Sequence, residues 1–599
     1  MFQGEIDSRE RLFKRRVDFI YILIICGFFL LAGRIVWLQL IEGERFSSLS
    51  ENFRLQLLPL TPPRGHIRDR NGKILATNKV SFSLGVVPSN ISDVNCLLIS
   101  LEKIVGINKE RCKKKIQQAP NPFRPVLLKK DVNMATMTYI LEREEEFPGV
   151  VIVPRPVRSY PHQSLASHLL GYLGEVSKEE LFSGIFPHLE QGDFIGRVGI
   201  ERVYDSYLRG EKGGKQVEVD AYGRYLRTIS EKNALPGNDI YLTIDIRMQQ
   251  IAEEEMGKRK GVVILGNPWT GEIFSLVSHP CFDPNLFSSG ISIKEWDRLK
   301  QNPANPLENR AIRGEYPPAS TFKIIVAISA LENGIIGENE TFICRGKFLV
   351  GDRIFRCWKE EGHGKLNLED AIIHSCDIFF YQLGLKTGVD NIIKTASSFG
   401  LGKPTGIDLL SEKSGLLPTP SWKLKNKGET WFRGDTANLS IGQGYILCTP
   451  IQMFNLISII ANGGSLFKPY LVREIVSPEG RLIKKNSPQK LRKVPLSSST
   501  LTLLRSALKG VVKRGTGWRA DNKVVDISGK TGTAQLTEGK RPHNWFIGYA
   551  PSDNPRIAIV VMVEHREEER AIASEIAGKI LSRIFTLKLV KDEYSAKKI

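Results

Sequence analysis

A chain of 599 residues with 41% hydrophobic content is ample for two or more cored domains. The formal net charge of +19 points to an anionic partner, yet no zinc-finger array, aromatic-basic repeat or helix-turn-helix pattern accompanies it. Nucleic acid is therefore not expected as a partner, and an anionic membrane surface or lipid-linked substrate accounts for the excess.

The first predicted element is a membrane anchor at residues 17–40. "FIYILIICGFFLLAG" (Phe19–Gly33) is unbroken apolar sequence, and "IVWLQL" extends it past Arg34 to Leu40. Together they approach the ~20 residues that a bilayer-spanning helix needs, with Arg34 snorkelling to the interface. Arg9, Arg11, Lys14, Arg15 and Arg16 precede it, so the head, residues 1–16, is expected in the cytoplasm. A cleaved signal peptide is the competing reading, but the apolar run is long and no small-x-small cleavage site follows. Nothing after Leu40 is apolar enough to span again, so the remainder is expected outside the cytoplasm on one tether.

Residues 41–235 carry no nucleophile–base pairing or ligand spacing and read as a spacer or interaction module. "RLQLLPLTPPRGHIRDRNGKILATN" (Arg54–Asn78) is extended around an "RNG" turn. Asn90 to Glu146 reads mostly as helix and Val150–Pro161 as a strand. "SLASHLLGYLGEVS" and Gly196–Gly210 read as short helices with glycine stops. Composition shifts near residue 236, where a strand (Asp239–Ile244) runs into an amphipathic helix. Gly261–Ser278 is a hairpin around Asn-Pro-x-Thr-Gly, and Asn544–Glu564 is a second hairpin around Asp-Asn-Pro, followed by a helix. Strands at both ends of a helix-rich stretch predict an antiparallel sheet closed by the two ends of one domain, residues 236–590. The tail, 591–599, is expected to fray.

Three motifs fall in order inside that domain. Ser320-Thr-Phe-Lys323 opens a helical segment behind Pro317 and Pro318; Ser375-Cys376-Asp377 lies in "EDAIIHSCDIFFYQLG"; Lys530-Thr531-Gly532-Thr533 lies on a strand. Each alone fits a bland reading: a helix cap, a polar helix position, a strand-edge turn. Together they supply the parts of acyl transfer. A serine hydroxyl becomes nucleophilic only when a base takes its proton. Lys323, one turn on, can be that base if nearby positive charge such as Lys530 favours its neutral amine. Ser375 can relay a proton to the leaving amine. The N–H groups of Ser320 and Thr533 can hold the oxyanion, and Lys530 and Thr531 the substrate carboxylate. Gly532 permits close approach of another chain.

Of eight cysteines, Cys26 lies in the anchor, and Cys96, Cys112, Cys281 and Cys448 are scattered and expected as small buried hydrophobes. Cys344, Cys357, His363 and Cys376 make a tetrahedral zinc donor set, although their wide spacing is not a finger pattern. One disulfide plus a free thiol, or reduced buried cysteines, are the other readings. Asp352 and His374 are nearby but weaker donors; His66, His162, His168 and His543 read as polar or packing residues.

The ordered Ser-x-x-Lys, Ser-x-Asn and Lys-Thr-Gly set is a pattern of penicillin-binding proteins and serine β-lactamases. With the anchor, "PRGHIRDRNG", "GDTANLSIGQG" (Gly434–Gly444) and "HNWFIGYAP", nearly the whole chain resembles the class B penicillin-binding proteins. "YPPASTFK", "WKEEGHGKLNLEDAIIHSCDIFFYQLG" and the "IGQGY" run are most similar to the penicillin-binding protein 2 subfamily. Two positions depart from the common pattern. Asp377 stands where the wider superfamily usually has Asn, and Ala319 where glycine usually precedes the serine, a change expected to matter little.

The resemblance implies an α/β (α+β) fold. Its β-lactamase/transpeptidase-like domain has a central antiparallel sheet flanked by helices, behind an elongated α+β pedestal of the dimerisation type. It implies a serine D-Ala-D-Ala transpeptidase of cell elongation, a β-lactam target held by one span in the inner membrane with its catalytic domain in the periplasm. Ser320 attacks a stem peptide ending in D-Ala-D-Ala, expels D-alanine and passes the acyl group to a neighbouring amine, with Asp377, Thr531, Gly532 and Thr533 at the substrate. A SEDS-family glycan polymerase is the implied membrane partner. Zinc at Cys344, Cys357, His363 and Cys376 is implied as structural; acyl transfer itself requires no cofactor. The alternatives are a D,D-carboxypeptidase or β-lactamase-like hydrolase, a septal transpeptidase, or a β-lactam sensor.

Overall fold

Apolar sequence at the N-terminus forms one helix, Phe2–Val36, continued by a π-helical turn, Trp37–Ile41. Of it, Phe13–Ile41, 29 residues, is long and apolar enough to cross a membrane, rising ~43 Å against the ~30 Å hydrocarbon core. The computed structural model describes residues 2–44, 55–119, 122, 125–184, 189–190, 192–219, 225–535, 541–565 and 571–590. The tail expected to fray, 591–599, lies outside the described residues.

Two compact units interleave along the chain. The first is Met1–Pro62, Ser81–Arg155 and Glu211–Leu235; the second is Pro63–Val80, Pro156–Gly210 and Pro236–Ile599. Residues 63–80 and 156–210, given to the pedestal by sequence, thus pack within the second unit. The first unit holds a three-stranded antiparallel sheet of Leu55–Leu60, Gly213–Val219 and Tyr225–Lys232. Its core gathers Leu84, Leu98, Leu101, Ile140 and Phe147. Helix Val94–Val105 begins where Asp93 accepts the N–H groups of Asn95 and Cys96, and ends at Gly106. A strand, Val126–Val132, interrupts the expected helical stretch, its five-residue run "VLLKK" being half-buried on both faces. In the second unit the expected helix after Ser164 shrinks to Ser167–Leu170, and Leu173–Glu175 is a strand paired with Phe194–Gly196.

The second unit is built on five strands: β1 (Gly261–Gly266), β2 (Ile273–His279), β3 (Ser528–Ala534), β4 (His543–Ala550) and β5 (Ile557–Val563). They form an antiparallel sheet in the order β2-β1-β5-β4-β3, so the two predicted hairpins join through β1 and β5, with Val263 opposite Val561. Every residue of β1, β4 and β5 is buried, which explains runs of apolar sequence where a half-exposed sheet would alternate. Val263, Leu265 and Phe546 pack with helices Ile246–Met256 and Ile572–Thr586. Val262, Ile264 and Trp545 face the other core, shared with Lys323–Glu332, Asp377–Thr387 and Pro450–Ala461.

This unit also buries an ionic cluster that motif reading passed over. Arg64 Nη2 meets Glu201 at 3.0 Å and Asp205 at 2.8 Å, and Arg158 meets Glu201 at 2.6 Å and the Gly65 carbonyl at 2.7 Å. Burial would raise the Asp205 carboxyl; Arg64 and the Gly196 N–H overcome it and hold Asp205 below the usual range. "PRGHIRDRNG" is therefore a structural seam: its first arginine is the buried cation.

Candidate active site

Ser320 sits half-buried in a 3-10 turn, Ala319–Phe322, and Lys323 begins the following α-helix. The turn is clamped from both sides. Ala319 N–H donates to the Gly442 carbonyl at 2.9 Å, and a Cβ on Gly442 would lie 2.2 Å from the Ala319 carbonyl oxygen. On the other side, a Cβ on Gly532 would meet the Pro318 carbonyl at 3.1 Å and Thr321 Cγ2 at 3.2 Å, so the expected close approach at Gly532 is real. Trp545 Nε1 donates to the Pro317 carbonyl at 3.1 Å. Ala319 adopts φ +51°, a left-handed conformation that glycine takes freely. A non-glycine residue pays roughly 1 kcal/mol in that conformation.

The second motif is not on a continuous helix. Leu368–Ile373 ends, Ser375 turns left-handed at φ +53°, and a new helix, Asp377–Thr387, starts with Cys376 as its cap. Ser375 and Cys376 diverge because of this break. Ser375 faces Lys323 and Lys530, and Cys376 faces the cysteine cluster.

Lys323 and Lys530 are both fully buried. Lys323 Nζ donates to the Ser375 carbonyl at 2.8 Å, to Ser375 Oγ at 3.3 Å and to Asp377 Oδ1 at 2.7 Å. Lys530 Nζ lies 2.9 Å from the same Ser375 Oγ. Burial, then the charge of Lys323, pushes the Lys530 amine well below its usual range against the pull of Asp377. The sequence placed the neutral amine at Lys323; the structure depresses Lys530 and gives Asp377, the departure from the common pattern, to Lys323 as its counterion. The two lysines are joined through one hydroxyl.

The remaining predicted residues lie along β3. Thr531 Oγ1 is 2.7 Å from Thr516 Oγ1, and Thr533 is exposed next to Asn544, whose Nδ2 donates to the Gly532 carbonyl at 3.3 Å. Trp358 is a site residue the motifs did not flag. Its N–H donates to Asp377 Oδ2 at 3.1 Å and its Nε1 to the Ser375 carbonyl at 3.2 Å. Its position immediately after Cys357, at the head of the "WKEEGHGK" run, signalled a part in this region.

Cys344, Cys357, His363 and Cys376 converge, their donor atoms all within 4.8 Å of one another. His363 Nδ1 lies 3.7 Å from Cys344 Sγ and 3.5 Å from Cys357 Sγ. A tetrahedron with metal–sulfur bonds of ~2.3 Å and a metal–nitrogen bond of ~2.0 Å has donor–donor edges of about 3.5 to 3.8 Å. The donors thus fit a zinc ion in chemistry and spacing. All eight cysteines are free thiols, so the disulfide reading has no support. Asp352 and His374 stand outside this donor set. Cys112 and Cys448 are buried as expected; Cys96 is exposed and Cys281 half-exposed, against expectation.

Comparison with known proteins places these features. Residues 261–585 match the family described as "Penicillin binding protein transpeptidase domain", and residues 59–242 that described as "Penicillin-binding Protein dimerisation domain". The peptidoglycan D,D-transpeptidase MrdA of Acinetobacter baumannii is 36% identical over 94% of this chain and 86% of its own. MrdA of Escherichia coli K12 is 33% identical over 93% and 92%. The structure of PBP2 in complex with MreC from Helicobacter pylori superposes with a TM-score of 0.78 at 31% identity, covering 90% of this chain and 100% of that one. A structure described as "Structural coordination of polymerization and crosslinking by a peptidoglycan synthase complex" gives 0.71 at 27% identity, covering 97% and 100%. Ser320, both lysines and the Ser375 hydroxyl that joins them all fall inside the transpeptidase match, and the relatives align from end to end: the chain belongs to the penicillin-binding proteins that carry a transpeptidase domain behind a dimerisation domain.

Proposed function

We propose that the chain is a serine D,D-transpeptidase that cross-links peptidoglycan stem peptides during cell elongation. The observation that carries this is the unbroken contact path Lys323–Ser375–Lys530 beside the clamped Ser320 turn. Lys530, its amine depressed by burial, accepts a proton from Ser375 Oγ, which takes one from Lys323. Lys323, now with a free lone pair, removes the Ser320 proton as Oγ attacks the carbonyl of the penultimate D-alanine. The N–H groups of Ser320 and Thr533 receive the oxyanion, and Thr531 with the ammonium of Lys530 receives the terminal carboxylate. Returning the proton along the same path to the leaving nitrogen expels D-alanine. An amine on a second stem peptide then attacks the acyl carbon, and its proton passes through Lys323 to Ser320 Oγ as the ester bond breaks.

The experiment uses the full chain in detergent with a stem pentapeptide ending in D-Ala-D-Ala. Release of D-alanine coupled to incorporation of a labelled D-amino acid is expected; release with water as sole acceptor would favour the carboxypeptidase reading. The N-terminal helix is read as a single anchor, with the arginine-rich head in the cytoplasm and the catalytic unit in the periplasm. The membrane polymerase partner is supported by the likeness to the synthase complex, and MreC is a second candidate partner by likeness to the Helicobacter pylori complex.

A structural zinc at Cys344, Cys357, His363 and Cys376 belongs to the same reading. The ion would tie the segment leading to Trp358 to the start of helix Asp377–Thr387, holding Ser375 and Asp377 in register. Purified full chain is expected to carry a zinc ion that His363→Ala loses together with penicillin reactivity. Metal content at this cluster far below one per chain would reject it.

A further inference from the structure

A second donor cluster lies at the far edge of the sheet from Lys530. We propose that Glu253, His279 and Cys281 form a separate zinc-binding site with three protein ligands. Their donor atoms all lie within 4.8 Å of one another, and each side chain is half-buried. Sulfur, nitrogen and oxygen in one set suit zinc better than magnesium or calcium, which take oxygen donors.

The orientation of each group favours binding. His279 ends β2, and its Nδ1 lies 3.0 Å from the Gly257 carbonyl. A carbonyl only accepts, so Nδ1 carries a proton and Nε2 is the nitrogen left for a metal; burial would lower this imidazole, but Cys281 and Glu253 raise it to about 9, so an ion there takes the place of the Nε2 proton. That Nε2 is buried without a hydrogen-bond partner, 3.7 Å from Glu253 Oε2. Glu253 Oε1 is held by the Ala166 N–H at 2.8 Å and by Gln249 Nε2 at 2.9 Å, leaving Oε2 turned toward His279. Gln249 is fixed in turn, its Oε1 accepting from Ser275 Oγ at 2.9 Å and from the Leu276 N–H at 2.8 Å. Two ligands therefore have their outer partners in place, the arrangement that orients histidine and carboxylate toward a metal. Cys281 closes the set two residues beyond His279. An ion there would pin helix Ile246–Met256 to the end of β2.

The site is independent of the acyl-transfer reading, and its test does not use that activity. Full chain in detergent is stripped with a chelator, exchanged into metal-free buffer and alkylated with iodoacetamide with and without added zinc. Peptide mass spectrometry then reads each cysteine. Zinc is expected to slow alkylation of Cys281 at least about tenfold, since a coordinated thiolate is not a free nucleophile, while magnesium leaves it unchanged. Exposed Cys96 serves as the control, and Cys344, Cys357 and Cys376 report the other cluster separately. Cys281→Ala is expected to lower bound zinc by one ion per chain with penicillin labelling intact, and Glu253→Gln to weaken the protection of Cys281. Equal Cys281 alkylation with and without zinc, or equal zinc content in wild type and Cys281→Ala, overturns the proposal.

Discussion

Two buried charge clusters in the catalytic unit contrast in their balance. In the Arg64–Arg158–Glu201–Asp205 cluster two buried guanidiniums face two carboxylates, and the half-exposed Arg209 also pairs with Asp205. In the Lys323–Ser375–Asp377–Lys530 cluster two amines share one carboxylate. The first settles into pairs that hold their charges; the second pushes one amine, Lys530, toward its neutral form. Burial alone therefore does not mark a reactive site. Two fully buried amines that share one carboxylate do, because neither reaches solvent and the missing charge must be met by moving a proton.

The comparison breaks first on its most reactive and its most balanced members. Lys530→Arg puts a permanent charge where the amine is pushed toward neutrality and cannot accept the proton, so acylation of the folded protein by penicillin is expected to fall by about 10³-fold. Glu201→Gln takes the carboxylate from Arg158 and leaves Arg64 with Asp205, and is expected to cost about 3 kcal/mol of unfolding free energy, seen by calorimetry, while the folded fraction acylates normally. Reversed results would put the structural cluster in the chemistry and dissolve the contrast.

A smaller shift sharpens the imbalance. Asp377 raises the Lys530 pKa, so Asp377→Asn lowers it further. The neutral amine is the active form, so the acid limb of the acylation pH–rate profile is expected to move down. A limb that moves up would assign Asp377 another role. The smallest expected effect lies outside both clusters: Ala319→Gly relieves the left-handed backbone before Ser320 and is expected to add up to about 1 kcal/mol of stability with little change in acylation. A loss of stability would show that the turn tolerates alanine without strain.

What the sequence discloses follows from how local its causes are. The hairpins around β1–β2 and β4–β5 are legible because turn residues and apolar runs sit side by side, and Ser320, Lys323 and Lys530 because short motifs carry them. Arg64 reaches Glu201 across 137 positions of chain, so its burial has no local trace. The break at Ser375 is hidden for another reason: "EDAIIHSCDIFF" has helical composition throughout, and tertiary contacts to Lys323, Lys530 and Trp358 override it. Glu253 and Cys281 come from a helix and a strand end, so their meeting belongs to the fold rather than to any motif.

The account stands on Ser320 Oγ being the group that is acylated. Full chain incubated with fluorescent penicillin, digested and mapped by mass spectrometry tests it directly. One penicilloyl group on the peptide holding Ser320, absent from correctly folded Ser320→Ala, is the predicted result. Label on any other residue, or undiminished label in Ser320→Ala, would contradict it.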